Sequence, residues 1–472
     1  MTAVAPRTPA RRAPAPHRYV DPTVRDRRER AAGRSRRKDT LEAAAWLAGV
    51  GGVSFMLASG SVDVTSVAGL LITLGRIAGI AASTMIMAQL ILIARIPLVE
   101  QAIGHDRAAR VHSQLGRIGF LVIIAHIVLL VAGYAMPTQT GLLAQTWDFV
   151  VGWGGPMFMA SVGFVVLCAV VITSYAIVRS RWRYENWHAV HVFSYVAVGL
   201  SIPHQLTDGE SFMSMGVAWW YWVVLWTVAV GGLLAYRVVR PLARFLRHDI
   251  RVAAVGTLPD GSTVIAMHGR RLRKLGARGG QFLLFRFLQA GMWGQAHPYS
   301  LSRTVRDGWM RITVKPLGDG SSALRTLKPG TRVMVEGPLG IFTDESRSGD
   351  HLVLAGAGVG ITPVLALLEA ADIRPGGCTV IVRAHSEAEI PHLDEFRELA
   401  AARGAALHVL VGRRGDGWAP AAFPTRLAQL VPSIAGADVY ACGPQPWVDA
   451  VLDDAAAAGV PDERRHAEEF AW

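Results

Sequence analysis

Four histidines in the most apolar part of the chain are the first residues that could do chemistry. His112 and His126 bracket the stretch HSQLGRIGFLVIIAH, and His191 and His204 lie within HAVHVFSYVAVGLSIPH. One pair is fourteen positions apart and the other thirteen. At ~1.5 Å per residue each pair spans about 20 Å of helix; fourteen residues are close to four turns, whereas thirteen are about 3.6 turns. The His112–His126 pair therefore occupies one helix face, and the His191–His204 pair is expected to match it in depth. If the two helices run in the same direction, His112 and His191 share one depth and His126 and His204 another. Two facing imidazoles can hold one iron from opposite sides, so the pattern describes two stacked bis-histidine haems. A single histidine in a membrane would instead read as a helix–helix hydrogen bond or a proton-relay member. His188 lies one turn before His191 and competes with it for the inner iron. His191 is the better match, because its distance to His204 is closer to the His112–His126 interval. His105, in the loop before the first pair, is expected to be solvated.

Such histidines need a membrane around them. Hydrophobic residues make up 51% of the 472, and they concentrate between about Leu41 and Tyr236. A spanning helix needs roughly 20 apolar residues. Six candidates follow, at roughly 43–60, 72–94, 113–135, 150–178, 187–205 and 216–236. The third and fifth carry the histidines, and the fifth is the least apolar.

Positive charge sits in the N-terminal tail, in the loop from Arg95 to Arg110 and in RSRWR from Arg179 to Arg183. The alternate loops carry Asp63, Asp148, Asp208 and Glu210. This asymmetry places both termini in the cytoplasm of a multi-pass protein of the inner (plasma) membrane. RVVRPLARFLRHD follows the sixth span on the same side, so the second half of the chain is expected to be cytoplasmic too. The net charge of +12 is explained by these segments, and no nucleic-acid partner is expected. Residues 1–42, rich in Arg, Pro and Ala, have too few apolar side chains to build a core and are expected to be disordered. No signal-peptide cleavage site follows the first apolar stretch. Cys168, Cys378 and Cys442 are far apart, which excludes a four-cysteine iron–sulfur cluster and a CxxCH haem attachment within this chain.

Arg76 and Arg95 flank the second span. Each reads either as an interfacial anchor or as a partner for haem propionates. Arg76 is the more informative, because the outer side is otherwise poor in positive charge. Arg117, about a turn and a half beyond His112, could serve the inner haem.

The second half alternates short strands with glycine turns and suggests an antiparallel β-barrel over 247–342. It contains HPYSLSR, from His297 to Arg303, in which an aromatic followed by hydroxyls can stack on and hydrogen-bond a flavin ring. GDGSS follows, and small residues there let backbone N–H groups approach a pyrophosphate. HLVLAGAGVGITP then runs from a buried strand into a glycine loop and a helix, a build that directs N–H groups at phosphate. Residues 348–472 read as an α/β domain with a parallel sheet. Cys442, Gly443 and Pro444 end another of its strands, so Cys442 should face the same crevice as Gly358. The bland reading of Cys442 is a small buried residue. Arg383 ends the strand CTVIVR, and Arg413 with Arg414 follow LHVLVG. Either site could hold the 2′-phosphate that separates NADPH from NADH, or be plain surface charge.

Together these residues resemble the ferric reductase and NADPH oxidase family, in a bacterial-type member. In that family a haem-bearing transmembrane domain, here 43–240, is fused to a ferredoxin-NADP reductase-like module. The resemblance implies that His297, Pro298, Tyr299, Ser300 and Ser302 form the FAD motif, with Tyr299 and Ser300 at the isoalloxazine and ribityl part. Gly320, Ser321 and Ser322 would bind the pyrophosphate. Gly356, Gly358, Gly360, Thr362, Pro363, Gly443 and Pro444 would form the nicotinamide-nucleotide site, with Cys442 near hydride transfer. His297 stands where soluble reductases usually have Arg, a departure typical of the membrane oxidases. The C-terminal EEFAW resembles the family's aromatic lid over the flavin, which implies Phe470 or alternatively Trp472. Arg76, in LGRIAGIAA, resembles the arginine near the outer haem of NADPH oxidases. The implied cofactors are FAD, two haem b and NADPH or NADH. The implied acceptor is a ferric chelate, with oxygen or a separate extracytoplasmic redox protein as alternatives.

Overall fold

The computed structural model describes residues 22–468, apart from 153, 176–180, 183, 209–215, 416 and 424. Residues 1–21 and the lid candidates Phe470 and Trp472 lie outside the described residues. Helix α1 spans Pro22–Ala58, so residues 22–42 are helical rather than the disordered tail expected. The segment is rich in Arg, a good helix former, and its charges find partners. Arg27 is buried and donates to the Asp372 carbonyl at 3.0 Å, with the Asp372 carboxylate at 3.5 Å. Arg34 donates to the Ser346 carbonyl at 3.2 Å.

Then come α2 (Val67–Ile93), α3 (Pro97–Ile103), α4 (His105–Thr138) and α5 (Gly155–Ser174). Helices α6 (Tyr184–Val192) and α7 (Ser194–Thr207) follow. The last is α8 (Val217–Leu234), which continues through Ala235–Val239 into α9 (Arg240–His248). Among the described residues five helices are long and apolar enough to cross a membrane: Ala32–Ala58, Val67–Ile93, His105–Thr138, Gly155–Ser174 and Val217–His248. The expected fifth span, at 187–205, is divided between α6 and α7. The junction is one tightened turn, in which Phe193 N donates to the Val190 carbonyl at 3.0 Å.

Small residues zip the bundle into two pairs, the usual solution where lipid removes the hydrophobic drive between helices. On the α2–α4 contact, a Cβ on Gly133 would lie 3.1 Å from the Ala68 carbonyl oxygen, and one on Gly75 would lie 2.8 Å from Leu130. On the α5–α7 contact, a Cβ on Gly163 would lie 2.8 Å from the Ala197 carbonyl oxygen. Gln205 Oε1 accepts from both Trp222 and Trp226, at 3.1 and 3.2 Å, tying α8 to α7.

The antiparallel part of the second half of the chain is two three-stranded sheets rather than one continuous barrel. One has the order β1 (Arg251–Thr257), β2 (Thr263–His268), β5 (Trp309–Val314); the other β4 (His297–Ser300), β3 (Phe282–Phe287), β6 (Val333–Leu339). Single bridges, Arg251 to Arg332 and Leu301 to Ile312, join their edges. A shared apolar core includes Ile265, Met267, Leu283, Phe285, Phe287 and Ile312. A five-stranded parallel sheet follows, in the order β11 (Arg465–Glu468), β10 (Asp438–Cys442), β7 (Leu352–Ala357), β8 (Cys378–Ala384), β9 (Ala406–Val411). Helices α11 (Ile361–Ala370) and α12 (Leu393–Ala402) cover one face and α13 (Gln445–Ala457) the other.

The two halves are joined by charge. Glu336 on β6 pairs with Arg95, just beyond α2, and with Arg237 at 3.4 Å. Arg95 is thus a clasp between the helical half and the second half of the chain. Burial, with Arg237 nearby, holds its guanidinium down at about 10. Glu336→Gln strands two guanidinium groups in a poorly solvated seam, at a cost of about 2–4 kcal/mol in docking. Amide exchange should rise across β6 and α3 and stay unchanged in the parallel sheet; unchanged exchange at β6 would contradict the clasp.

Candidate functional site

Helix α4 carries His112 and His126, and α6 and α7 carry His191 and His204. The rings of His112 and His191 face each other with centres 6.2 Å apart and planes at 77°. Two imidazoles bound to opposite sides of one metal at about 2 Å each place their ring centres roughly 6 Å apart, so the spacing fits a shared iron. His191 is therefore the histidine that the fold brings to His112, while His188 is exposed. Ser174 Oγ lies 3.4 Å from His191 Nδ1 and accepts from Trp187 Nε1 at 3.3 Å. The Trp187 ring packs 5.0 Å from that of His191.

At the other depth, His126 Nδ1 donates to the Gly75 carbonyl at 2.7 Å. That bond sets the tautomer and leaves Nε2 as the lone-pair nitrogen, the arrangement metal-binding histidines favour. Gly79 makes room for the ring, since a Cβ there would lie 2.7 Å from it. Nδ1 of His112 and of His204 is buried without a well-formed hydrogen bond. This donor set fits two haem irons.

Arg76 follows Gly75 directly. It donates to the Ser61 carbonyl at 2.9 Å and to the Tyr134 hydroxyl at 3.2 Å. Arg117 is exposed on α4. His105 is not solvated as expected. Its Nδ1 lies 3.1 Å from Glu100 Oε1, and its ring meets Phe282 of β3 edge-on at 5.8 Å.

On β4, His297 and Pro298 pair with Phe285 and Leu284 of β3. The Tyr299 ring stacks on that of His297 at 5.9 Å, and burial raises its hydroxyl far above the usual range. Ser300 Oγ is buried with no partner. An orphaned hydroxyl beside a half-buried aromatic fits a flavin edge. Gly320 opens a short helix, α10 (Asp319–Ala323), against His297; a Cβ there would lie 2.9 Å from the imidazole. Ser321 Oγ holds the turn by accepting from Leu317 N and Gly318 N, both at 3.0 Å, and Ser322 is exposed.

Ser302 has a different use from its neighbours. It is buried, and its Oγ accepts from Thr313 Oγ1 at 3.0 Å and Arg311 Nε at 3.1 Å. Behind it, His392 Nε2 lies 2.8 Å from Thr313 Oγ1, and Glu395 accepts from Arg311 at 2.9 Å. This brace for the flavin strand comes from α12 and the residue before it, and no local sequence signal marks it.

In the parallel sheet, β7 ends at Ala357, and Gly358 turns the chain with φ +57° and open space at its Cβ position. Gly360 abuts the other strand end, since a Cβ there would lie 2.1 Å from the Cys442 carbonyl oxygen. Gly356 pairs with Cys442 in the sheet, and a Cβ on Gly443 would lie 2.9 Å from the Ala357 carbonyl oxygen. Thr362 and Pro363 are buried in the first turn of α11, with Thr362 Oγ1 donating to Val359 at 3.0 Å. Pro444 begins the turn into α13. Cys442 is fully buried, and its Sγ donates to the Glu468 carbonyl at 3.6 Å. Burial pushes the thiol pKa well up, with Glu468 and Asp106 adding to it, so it stays neutral. Arg383 donates to the Gly412 carbonyl at 3.0 Å, and burial and neighbouring Arg414 lower its pKa. Arg413 is exposed.

Residues 78–202 match the model of the family described as ferric reductase like transmembrane component. The matched stretch holds His112, His126, His188 and His191. The chain is 33% identical over 224 residues to the ferredoxin reductase component of a 3-ketosteroid-9-alpha-monooxygenase from Rhodococcus rhodochrous. That match covers 45% of this chain and 62% of the relative. The chain joins a ferric-reductase-like transmembrane domain to a ferredoxin-reductase-like FAD/NAD module. A respiratory burst oxidase homolog, protein D of Arabidopsis thaliana, is 24% identical over 176 residues, covering 32% of this chain and 19% of that one. Among solved structures, the FAD/NAD-binding domain of a nitric oxide dioxygenase from Vibrio cholerae aligns with TM-score 0.38 and 23% identity. It covers 47% of this chain and 98% of that domain.

The brace behind the module's flavin strand has a pH signature. Burial, with Arg311 next, lowers His392 from 6.5 to about 4. Between pH 4 and 6.5 the unfolded chain binds the proton and the folded one does not, so stability falls as pH drops through that window. Allowing for solvent screening, the loss is roughly 1–2 kcal/mol. His392→Asn keeps a residue that tolerates the positive φ found there (+59°). It should flatten the pH dependence of the unfolding midpoint across that window; an unchanged slope would contradict the assignment.

Proposed function

We propose that the protein moves electrons from cytoplasmic NAD(P)H, by way of FAD and two haem b groups, to an acceptor outside the membrane. The observation that carries this reading is the His112–His191 facing pair, on the same helix that positions His126 one membrane depth away. When bound, FAD would supply the exchange of a hydride for single electrons, and the haem irons one-electron steps.

The chain's own residues orient and shield. His112 with His191 would hold the inner iron, and His126 with His204 the outer. The Gly75 carbonyl fixes the His126 ring, and Ser174 with Trp187 steadies that of His191. Tyr299 offers a stacking face, Ser300 a hydroxyl, and His297 with Gly320, Ser321 and Ser322 a pyrophosphate seat. Gly356, Gly358 and Gly360 bring a nucleotide close to Cys442, whose neutral thiol and tight packing exclude water. Phe470, or Trp472, would cover the flavin until nicotinamide displaces it. The Arg383–Arg414 pair places two cations together, and a 2′-phosphate would relieve their repulsion. Arg95 after α2 and the arginine-rich end of α8–α9 lie beside the module, which supports its placement in the cytoplasm.

A ferric chelate is the acceptor proposed. The fixed position of Arg76, beside the residue that orients His126, favours a second reading in which oxygen is reduced to superoxide there. The Rhodococcus relative, a reductase component by name, supports a third, delivery to a separate redox protein.

The test uses sealed vesicles with the module outward, NADPH and FAD outside, and ferric citrate with a ferrous indicator trapped inside under anaerobic conditions. Ferrous colour should develop inside; NADPH oxidation only when iron shares its side would contradict a transmembrane path. Oxygen uptake matching NADPH loss without iron would select superoxide formation. His191→Leu should lower bound haem from two per chain to one, whereas His188→Leu should leave two, read from the pyridine haemochrome spectrum. Arg383→Ala should raise the KM for NADPH about tenfold, the loss of one charge-assisted contact, and leave that for NADH unchanged.

A further inference from the structure

A cavity of about 990 Å³ lies where α1, the ends of the spans and β6 meet, and six arginines line it. Two are matched by carboxylates: Arg95 by Glu336, and Arg278 by Glu345. The other four, Arg34, Arg37, Arg240 and Arg244, have no carboxylate within 4 Å among the described residues. Their contacts are neutral. Arg34 bonds Ser346, Arg37 donates to Gln101 at 3.1 Å, Arg244 donates to the Gly337 carbonyl, and Arg240 lies over the Tyr236 ring at 5.4 Å. Arg240 and Arg244 are one turn apart on the same helix face, where like charges repel. Of the remaining lining carboxylates, Glu100 is held by His105, while Asp26 and Glu29 are exposed on α1. His297, Tyr299 and Gly320 are not among the lining residues, so this is not the flavin seat.

The depth is also informative. From Val217 to Arg240 the helix rises about 35 Å, slightly more than a hydrocarbon core of ~30 Å. Arg240 therefore stands at headgroup level, and the cavity opens between the membrane surface and the module. Guanidinium groups with no carboxylate in contact, three of them partly buried, in a basic pocket at a membrane boundary, are the chemistry that receives phosphate.

We propose that this cavity binds a phosphate-bearing anion, supplied either as an anionic lipid headgroup or as a free phosphate compound. The anion bridges α1, the α8–α9 helix and the turn after β6. Its occupancy therefore fastens the module beneath the histidine helices, a role the proposed electron path does not assign.

The full-length protein is placed in nanodiscs of phosphatidylcholine, with or without about one fifth phosphatidylglycerol, and its unfolding midpoint is followed by tryptophan fluorescence. A third arm adds inorganic pyrophosphate to the phosphatidylcholine discs. Phosphatidylglycerol or pyrophosphate should raise the midpoint by roughly 5 °C near saturation. A rise with the lipid alone identifies a headgroup site, and a rise with pyrophosphate a soluble ligand. The double variant Arg240→Gln, Arg244→Gln should lose the rise, and exposed Arg273→Gln should keep it. If the double variant does not fold, Arg37→Gln, which gives up only its bond to Gln101, should at least halve the rise. No rise with either anion would overturn the proposal. So would a rise that survives in the double variant, or in Arg37→Gln where the double variant does not fold, or one that Arg273→Gln abolishes equally.

Discussion

The structure depends on α4 being one uninterrupted helix. Its first residue, His105, packs on Phe282 of the soluble module. Two turns later it presents His112, and about 20 Å further along it presents His126. A helix is the only continuous backbone that can run through lipid with its own hydrogen bonds satisfied. It also sets where side chains point, so placing two imidazoles on one face at two depths needs only the right interval. A break between His112 and His126 would rotate one pair away from its partner. The partner span tolerates a junction at Phe193, because that turn lies between its two histidines and is only tightened, not opened.

Keeping imidazoles in that setting has a cost, which the neighbours offset. A buried ring nitrogen without a partner is unfavourable. The Gly75 carbonyl removes that cost for His126, and Gly79 lets the ring approach closely enough to use it. His191 has Ser174 nearby for the same purpose. The glycines are thus bound up with the histidine chemistry, and the same contacts zip α2 to α4. In the module, the equivalent economy is the meeting of Gly356 and Gly360 with Cys442, which leaves no room for a side chain between two strand ends.

Much of this was legible in the sequence, and the rest was hidden for identifiable reasons. The histidine intervals, the glycine loop and HPYSLS are local patterns; the fold brings His112 to His191, sets the glycine loop between β7 and α11 and carries HPYS on β4. Ser302 lay inside such a pattern yet lies past the end of β4, where its hydroxyl is taken up by Arg311 and Thr313. The partners of Arg95, His105 and the α1 arginines are more than a hundred residues away in most cases, and no periodicity reports them. A charge run reads as solvated until the surface it docks on is known, which is why residues 22–42 looked disordered. The fifth span was expected to be continuous because hydropathy does not register a single tightened turn. His392 and its brace were invisible for the same reason as Glu336: their role exists only in the assembled module.

The most direct test of the proposed electron path is an anaerobic visible spectrum of the purified, FAD-loaded protein before and after NADPH. The account predicts that the reduced b-type haem bands grow to the extent that dithionite produces. Haem that stays oxidised with NADPH yet is reduced by dithionite would contradict it, because the module would then not be the donor to the His112–His191 site.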